Sequence, residues 1–178
     1  MLVSAHDVAR EIRDRLPTAG VVKTHKLLYY SFGWYAAWTG RQLFVEEIAA
    51  WDNGPVIADL WHDEDKGRLA PDAAELDSEM LMAVGYVVSR YGGLSGRELI
   101  DLTHTEQPWK RAWDRGESIS FEAIRAFFKE DDEDDSTRLE PDEARRLAEA
   151  YTMPKLSHDV PPKDDTEALR QMLASSAR

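Results

Sequence analysis

The chain contains no cysteine. That single absence removes disulfides, thiolate zinc sites and cysteine nucleophiles together, and leaves any metal to histidines and carboxylates. Long apolar runs are lacking too. The longest stretch without Asp, Glu, Lys or Arg is Leu27–Gly40, 14 residues that include Ser31, Gly33 and three tyrosines. That length suits a buried helix rather than a bilayer span, so no membrane partner is expected. The first residues, MLVSAHDVAREIRDR, alternate acid and base with no apolar run after a basic start, unlike a secretory leader, and a cytoplasmic location is the expectation. There is no internal repeat, no Gly-x-Ser-x-Gly elbow for serine hydrolysis, and no histidine pair at i, i+4 for a helical zinc site.

Positive charge is in deficit as well. The 178 residues hold 22 Lys and Arg against 34 Asp and Glu, a formal net charge of −12, which repels a phosphate backbone and disfavours nucleic acid as a partner. Residues 1–128 carry −6 and residues 129–178 another −6, so the shorter tail holds half the excess. Its densest part, Glu130–Asp135, is six carboxylates in succession with nothing apolar to bury. A boundary there divides the chain into a domain at 1–129 and an extension at 130–178, read as an acidic linker, a short helix over Pro141–Tyr151 and a flexible tail.

Within the domain the pattern is mainly helical. Ser4 and Asp7 resemble a capping box ahead of Val8, Ile12 and Leu16. A second helix from near Thr24 to Gly40 is apolar on nearly every side and so belongs at the centre. Leu43–Trp51 is the best strand candidate. Asn53-Gly54-Pro55 reads as a turn, with Pro55 opening a short third helix to about Trp61, and His62–Asp72 as a charged loop. Met80 to Tyr91 marks a fourth helix ended by Gly92; Ser95 and Glu98 form a capping box for a fifth; Pro108 opens a sixth; Ser120 caps a seventh carrying Ile124, Phe127 and Phe128 inward. The fold class is a compact, mainly α domain of about seven helices with one short β-hairpin or strand segment, followed by the acidic extension.

Several motifs invite function and most have plainer explanations. Tyr91–Gly96 before a helix could hold a phosphate, but it lacks the lysine of a Walker loop, and Glu98 occupies the first helical turn. The same helix–Gly-Leu-Ser–helix segment resembles a DNA-reading pair over 80–105, yet its second helix sets Arg97 against Glu98, Asp101 and Glu106. The acidic run fails as a calcium loop because Ser136 stands where glycine is needed. His62-Asp63-Glu64-Asp65 and His104-Thr105-Glu106 are the histidine–carboxylate clusters to test, the second with Asp101 as the alternative acid of a small hydrolase; adjacent residues on one element point apart and do not converge. Of the six tryptophans, pairs at i, i+4 such as Trp34/Trp38 and Trp109/Trp113 are what core packing needs. Trp61, beside the charged stretch, is the expected exposed anchor.

One ordered set of residues points to a family. Lys26-Leu27-Leu28-Tyr29-Tyr30, Gly33-Trp34-Tyr35, Thr39-Gly40, Leu43-Phe44, Glu46-Glu47-Ile48, Ala50-Trp51 and Gly54-Pro55-Val56 resemble the signature of the Panacea domain. Leu94-Ser95, Glu98-Leu99, Leu102-Thr103-His104 and Pro108-Trp109-Lys110 resemble its second signature. Together they span residues 5–129, with His25 departing from the longer polar residue usual there. The family includes SocA-type antitoxins and phage-associated proteins. The resemblance implies a non-enzymatic antitoxin that binds a cognate protein toxin, encoded by a neighbouring gene, and it admits a variant that delivers toxin to a protease. It implies no cofactor and no metal, and self-association into a homo-oligomer stays open. The partner-binding residues expected from the sequence are Trp61, His62, Asp63, Glu64, Asp65, His104 and Glu106. The competing readings are a nucleic-acid-binding regulator using the 80–105 helix pair and the small hydrolase.

Overall fold

The computed structural model describes residues 3–66 and 74–134, within which the chain forms seven helices and one two-stranded antiparallel sheet. The order is α1 (Ala5–Arg15), α2 (Val21–Thr39), β1 (Ile48–Trp51), β2 (Gly54–Ile57), α3 (Ala58–Asp65), α4 (Ser78–Tyr91), α5 (Gly96–Thr103), α6 (Gln107–Arg115) and α7 (Phe121–Asp134). The helix expected over Pro141–Tyr151 lies outside the described residues.

Local chemistry sets most of the boundaries. Ser4 and Asp7 form a reciprocal capping box on α1, as Ser95 and Glu98 do on α5, satisfying backbone N–H groups that have no partner inside the helix. The Asp77 carboxylate accepts from the N–H groups of Glu79 and Met80 at 3.0 and 2.9 Å, starting α4. Gly40, at φ +70°, stops α2 in the left-handed conformation, its N–H donating to Ala36 O at 2.9 Å.

α2 is the hub, packing against α1, α4, α5, α7 and β2. It is buried almost all round, which explains the lack of a polar stripe. Trp34 makes edge contacts with Tyr86 of α4 and Phe128 of α7, and Tyr30 stacks on Tyr91 at 4.2 Å. Leu28, Val8, Ile12, Val84 and Ile124 fill the same core.

The region after α2 departs from expectation. Strand β1 is only the last four residues of the nine-residue Leu43–Trp51 candidate, and Pro55 lies in β2, paired with Ala50, rather than opening a helix. Pro55 has no N–H, yet the position needs none: its carbonyl accepts from Lys26 Nζ at 2.8 Å, and Val56 and Ile57 after it are β-branched and fully buried in extended conformation. The third helix therefore starts at Ala58 and runs to Asp65, so His62–Asp65, expected in a loop, are helical.

Candidate partner-binding surface

The hairpin gathers residues that the sequence keeps far apart. Its tip, Trp51 to Gly54, sits between α3 on one side and the α5–α6 corner on the other. Toward α3, the Trp51 ring meets Trp61 edge-on at 5.4 Å and His62 at 6.4 Å. Toward the corner, Trp109 Nε1 donates to Trp51 O at 3.0 Å, and the His104 imidazole hydrogen-bonds to the Asp52 backbone. His104 stacks on Trp109 at 4.2 Å, and Trp113 stacks on Trp109 at 5.7 Å. The result is two aromatic groups, Trp51 with Trp61 and His62, and His104 with Trp109 and Trp113, joined into one strip by the hydrogen bond from Trp109 to the Trp51 backbone.

Exposure along the strip is uneven. Trp61, the expected surface anchor, is 2% exposed. It packs with Val22, Val56 and Ile100, so the correction comes from neighbours that only the fold supplies. Trp113, expected in the core, is 42% exposed. Trp51 is half-buried, His62 exposed and His104 half-buried. Trp51 and Trp113 are thus the surface residues that sequence reasoning missed. For Trp113 there was a signal: every residue of 113–118 is polar or glycine apart from Trp113 itself.

Glu106, also expected at the surface, faces inward at 6% exposed. It accepts from the Tyr30 hydroxyl at 2.7 Å. Burial pushes its carboxyl up to about 7, against the hydrogen bonds from Tyr30 and Tyr29 and the charge of Lys26, which lower it. Lys26 is wholly buried beneath the hairpin. Burial brings its amine down to about 7, with Glu106 pulling the other way. A Cβ at Gly54 would come 2.6 Å from Thr103 Oγ1 and 3.0 Å from Lys26 Nζ, so the hairpin tip lies directly on this polar cluster. Beside it, His25 accepts from Ile57 N–H through Nδ1 at 3.3 Å, and burial holds it down at about 3, neutral, with Lys26 and Arg13 acting in the same sense.

Next to the strip, between α1 and α3, is a pocket of about 610 Å³ lined by His6, Glu46, Asp59, His62, Asp63 and Lys66. Both oxygens of Glu46 accept from Ala5 N–H at 3.0 Å, closing the start of α1, and His6 Nε2 lies 3.2 Å from Asp63 Oδ2. Glu64 turns away to pair with Arg13, while Asp65 is exposed. The structure thus brings His62 and Asp63 together at the pocket and His104 onto the strip, and separates both from Glu64 and Glu106. His104 and Glu106 do not line the pocket. Among the described residues no group of three or more His, Asp or Glu is placed to hold a metal ion, and no helix is long and apolar enough to cross a membrane. On α5, Arg97 pairs with Asp101 at 3.1 Å, so that helix offers no basic cluster for a groove.

The hub helix, the hairpin and the α5–α6 corner are the parts that a family comparison picks out: residues 25–110 match the model described as antitoxin SocA-like, Panacea domain. This segment is similar to a Panacea domain. The match begins at His25 within α2 and ends at Lys110 within α6, a narrower span than the motifs suggested, with α1 and α7 outside it. The matched segment therefore contains the hairpin, Trp51, Trp61, His62, His104 and Trp109, while Trp113 lies just past its end. No curated protein and no solved structure matches the chain.

Proposed function

We propose that the chain is the antitoxin of a toxin–antitoxin pair and neutralises a protein toxin by binding it directly. The observation that carries this reading is the Panacea match over residues 25–110. The aromatic strip supports it, because tryptophans with part of the ring at the surface are the residues most often found at the energetic centre of protein interfaces. An enzymatic alternative gains no support from the side chains, since His104 lies flat on Trp109 while Glu106 is bonded inward to Tyr30.

The test is co-expression with the protein encoded beside this chain. Growth arrest by that protein alone, rescue by this chain, and recovery of the two as one complex are the expected results. Rescue with no complex, accompanied by turnover of a product of the toxin, would overturn direct binding. Following toxin abundance during rescue separates masking, in which the toxin persists, from delivery to a protease, in which it disappears.

A further inference from the structure

We infer that the aromatic strip and the adjoining pocket form one docking surface, and that it takes an arginine-bearing segment of the partner protein. The inference rests on the antitoxin reading for its biological partner, but the surface itself is argued from side chains.

The strip offers rings at the surface in Trp113, His104, Trp51 and His62, the first two backed by the buried Trp109. Rings presented in this way bind guanidinium groups through their faces. The surroundings are acidic at the Trp51–His62 end, whereas α6, which carries Trp109 and Trp113, sets Lys110, Arg111 and Arg115 against Asp114. Helix α3 carries Asp59, Asp63, Glu64 and Asp65 with no Lys or Arg, and exposed Asp52 tops the hairpin. The pocket that opens at His62 has three carboxylates, Glu46, Asp59 and Asp63, against the single Lys66. Two of these carboxylates already have duties inside the protein, Glu46 at the start of α1 and Asp63 at His6. Asp59 is exposed at the same rim. An arginine side chain matches this arrangement: its planar head can pair with a carboxylate while its face lies on an indole. A carboxylate-rich segment would meet repulsion along the whole of α3.

The acidic end of α7 is the competing place for a cationic segment, and the structure supplies a reporter for each. Trp38 Nε1 donates to Asp132 Oδ1 at 3.3 Å, so its indole signal follows the α7 end. Trp113 and Trp51 follow the strip, and Trp34, buried in the core, serves as the control.

The experiment titrates the full chain with a synthetic nine-arginine peptide and reads the indole N–H resonances by NMR, in parallel with a nine-glutamate peptide and a single-stranded RNA oligonucleotide. The expected result is saturable movement of the Trp113 and Trp51 signals with the arginine peptide alone, with Trp34 unmoved. Trp113→Ala and Asp59→Lys should each weaken that binding at least about tenfold, as loss of an interface anchor does, with melting temperatures unchanged. Movement confined to Trp38, unaltered affinity in both variants, or a strip that answers to RNA or to glutamate instead would overturn the inference. The peptide needs no toxin, so the two readings fail separately. A chain that rescues cells while its strip ignores arginine loses only this surface; a strip that takes the peptide in a chain that rescues nothing leaves only the antitoxin reading overturned.

Discussion

Gly33 lies against the ring of Phe128. A Cβ built at Gly33 would fall 2.7 Å from Phe128 Cζ and closer still to Cδ2 and Cε2. The ring has little room to yield, being 1% exposed and wedged among Tyr29, Tyr30 and Trp34.

Two effects oppose each other in Gly33→Ala. Alanine favours a helix interior by about 1 kcal/mol over glycine, whereas forcing atoms into a packed core costs about 1–3 kcal/mol. With the ring pinned, the second effect should win, and urea unfolding should show a net loss of about 1–2 kcal/mol. In a Phe128→Leu background the penalty should shrink or reverse sign; an equal penalty in both backgrounds would mean the ring is not the obstacle.

The two glycines Gly54 and Gly93 should respond oppositely to a methyl group. Gly54 has φ +92° and meets Thr103 and Lys26 at once, while Gly93 has nothing within 4 Å. Gly54→Ala should cost on the order of 1–3 kcal/mol from backbone strain and crowding, and Gly93→Ala should stay within about 0.5 kcal/mol. Thermal melts of both variants decide it, and equal shifts would remove the special status of the hairpin tip.

Stability should depend on pH through the pair below the hairpin, with opposite signs for its two members. Glu106 titrates at about 7 in the fold, above its ordinary 4.5, so its favourable contribution is complete below 4.5 and is lost as pH rises to about 7. Lys26 titrates at about 7, below its ordinary 10.5, so its contribution is complete above 10.5 and is lost as pH falls to about 7. The stability difference between wild type and Glu106→Gln should therefore fall between pH 4.5 and 7, and that for Lys26→Met should rise between pH 7 and 10.5. Urea melts across both windows measure the slopes; parallel curves would show that these groups keep their ordinary protonation.

What could be read from the sequence is what depends on near neighbours in the chain. The boxes at Ser4/Asp7 and Ser95/Glu98 and the stop at Gly40 are contacts of three or four residues, and each appears where the pattern placed it. Pro55 fits a helix start and a strand position needing no N–H equally well. Only the approach of Lys26, 29 residues away, distinguishes the two. The tryptophans fail for the same reason. Trp61 is covered by Val22, Val56 and Ile100 from three other elements, whereas Trp113 sits on Trp109 with nothing laid over it. Nor could composition show that Glu106 points inward, since its partner Tyr30 lies 76 residues away.

The hairpin also bears on how this protein keeps to itself. The outer side of β1 is occupied by the segment after α6, where Ala49 pairs with Ser118 and Ile119 N–H donates to Ile48 O at 2.8 Å, and β2 is buried throughout. Among the described residues the sheet thus presents no open row of peptide groups onto which a foreign or identical strand could be added. The described sheet therefore offers no edge for strand addition, and whatever approaches the hairpin meets the shapes and charges of side chains, since the main chain there is already spoken for.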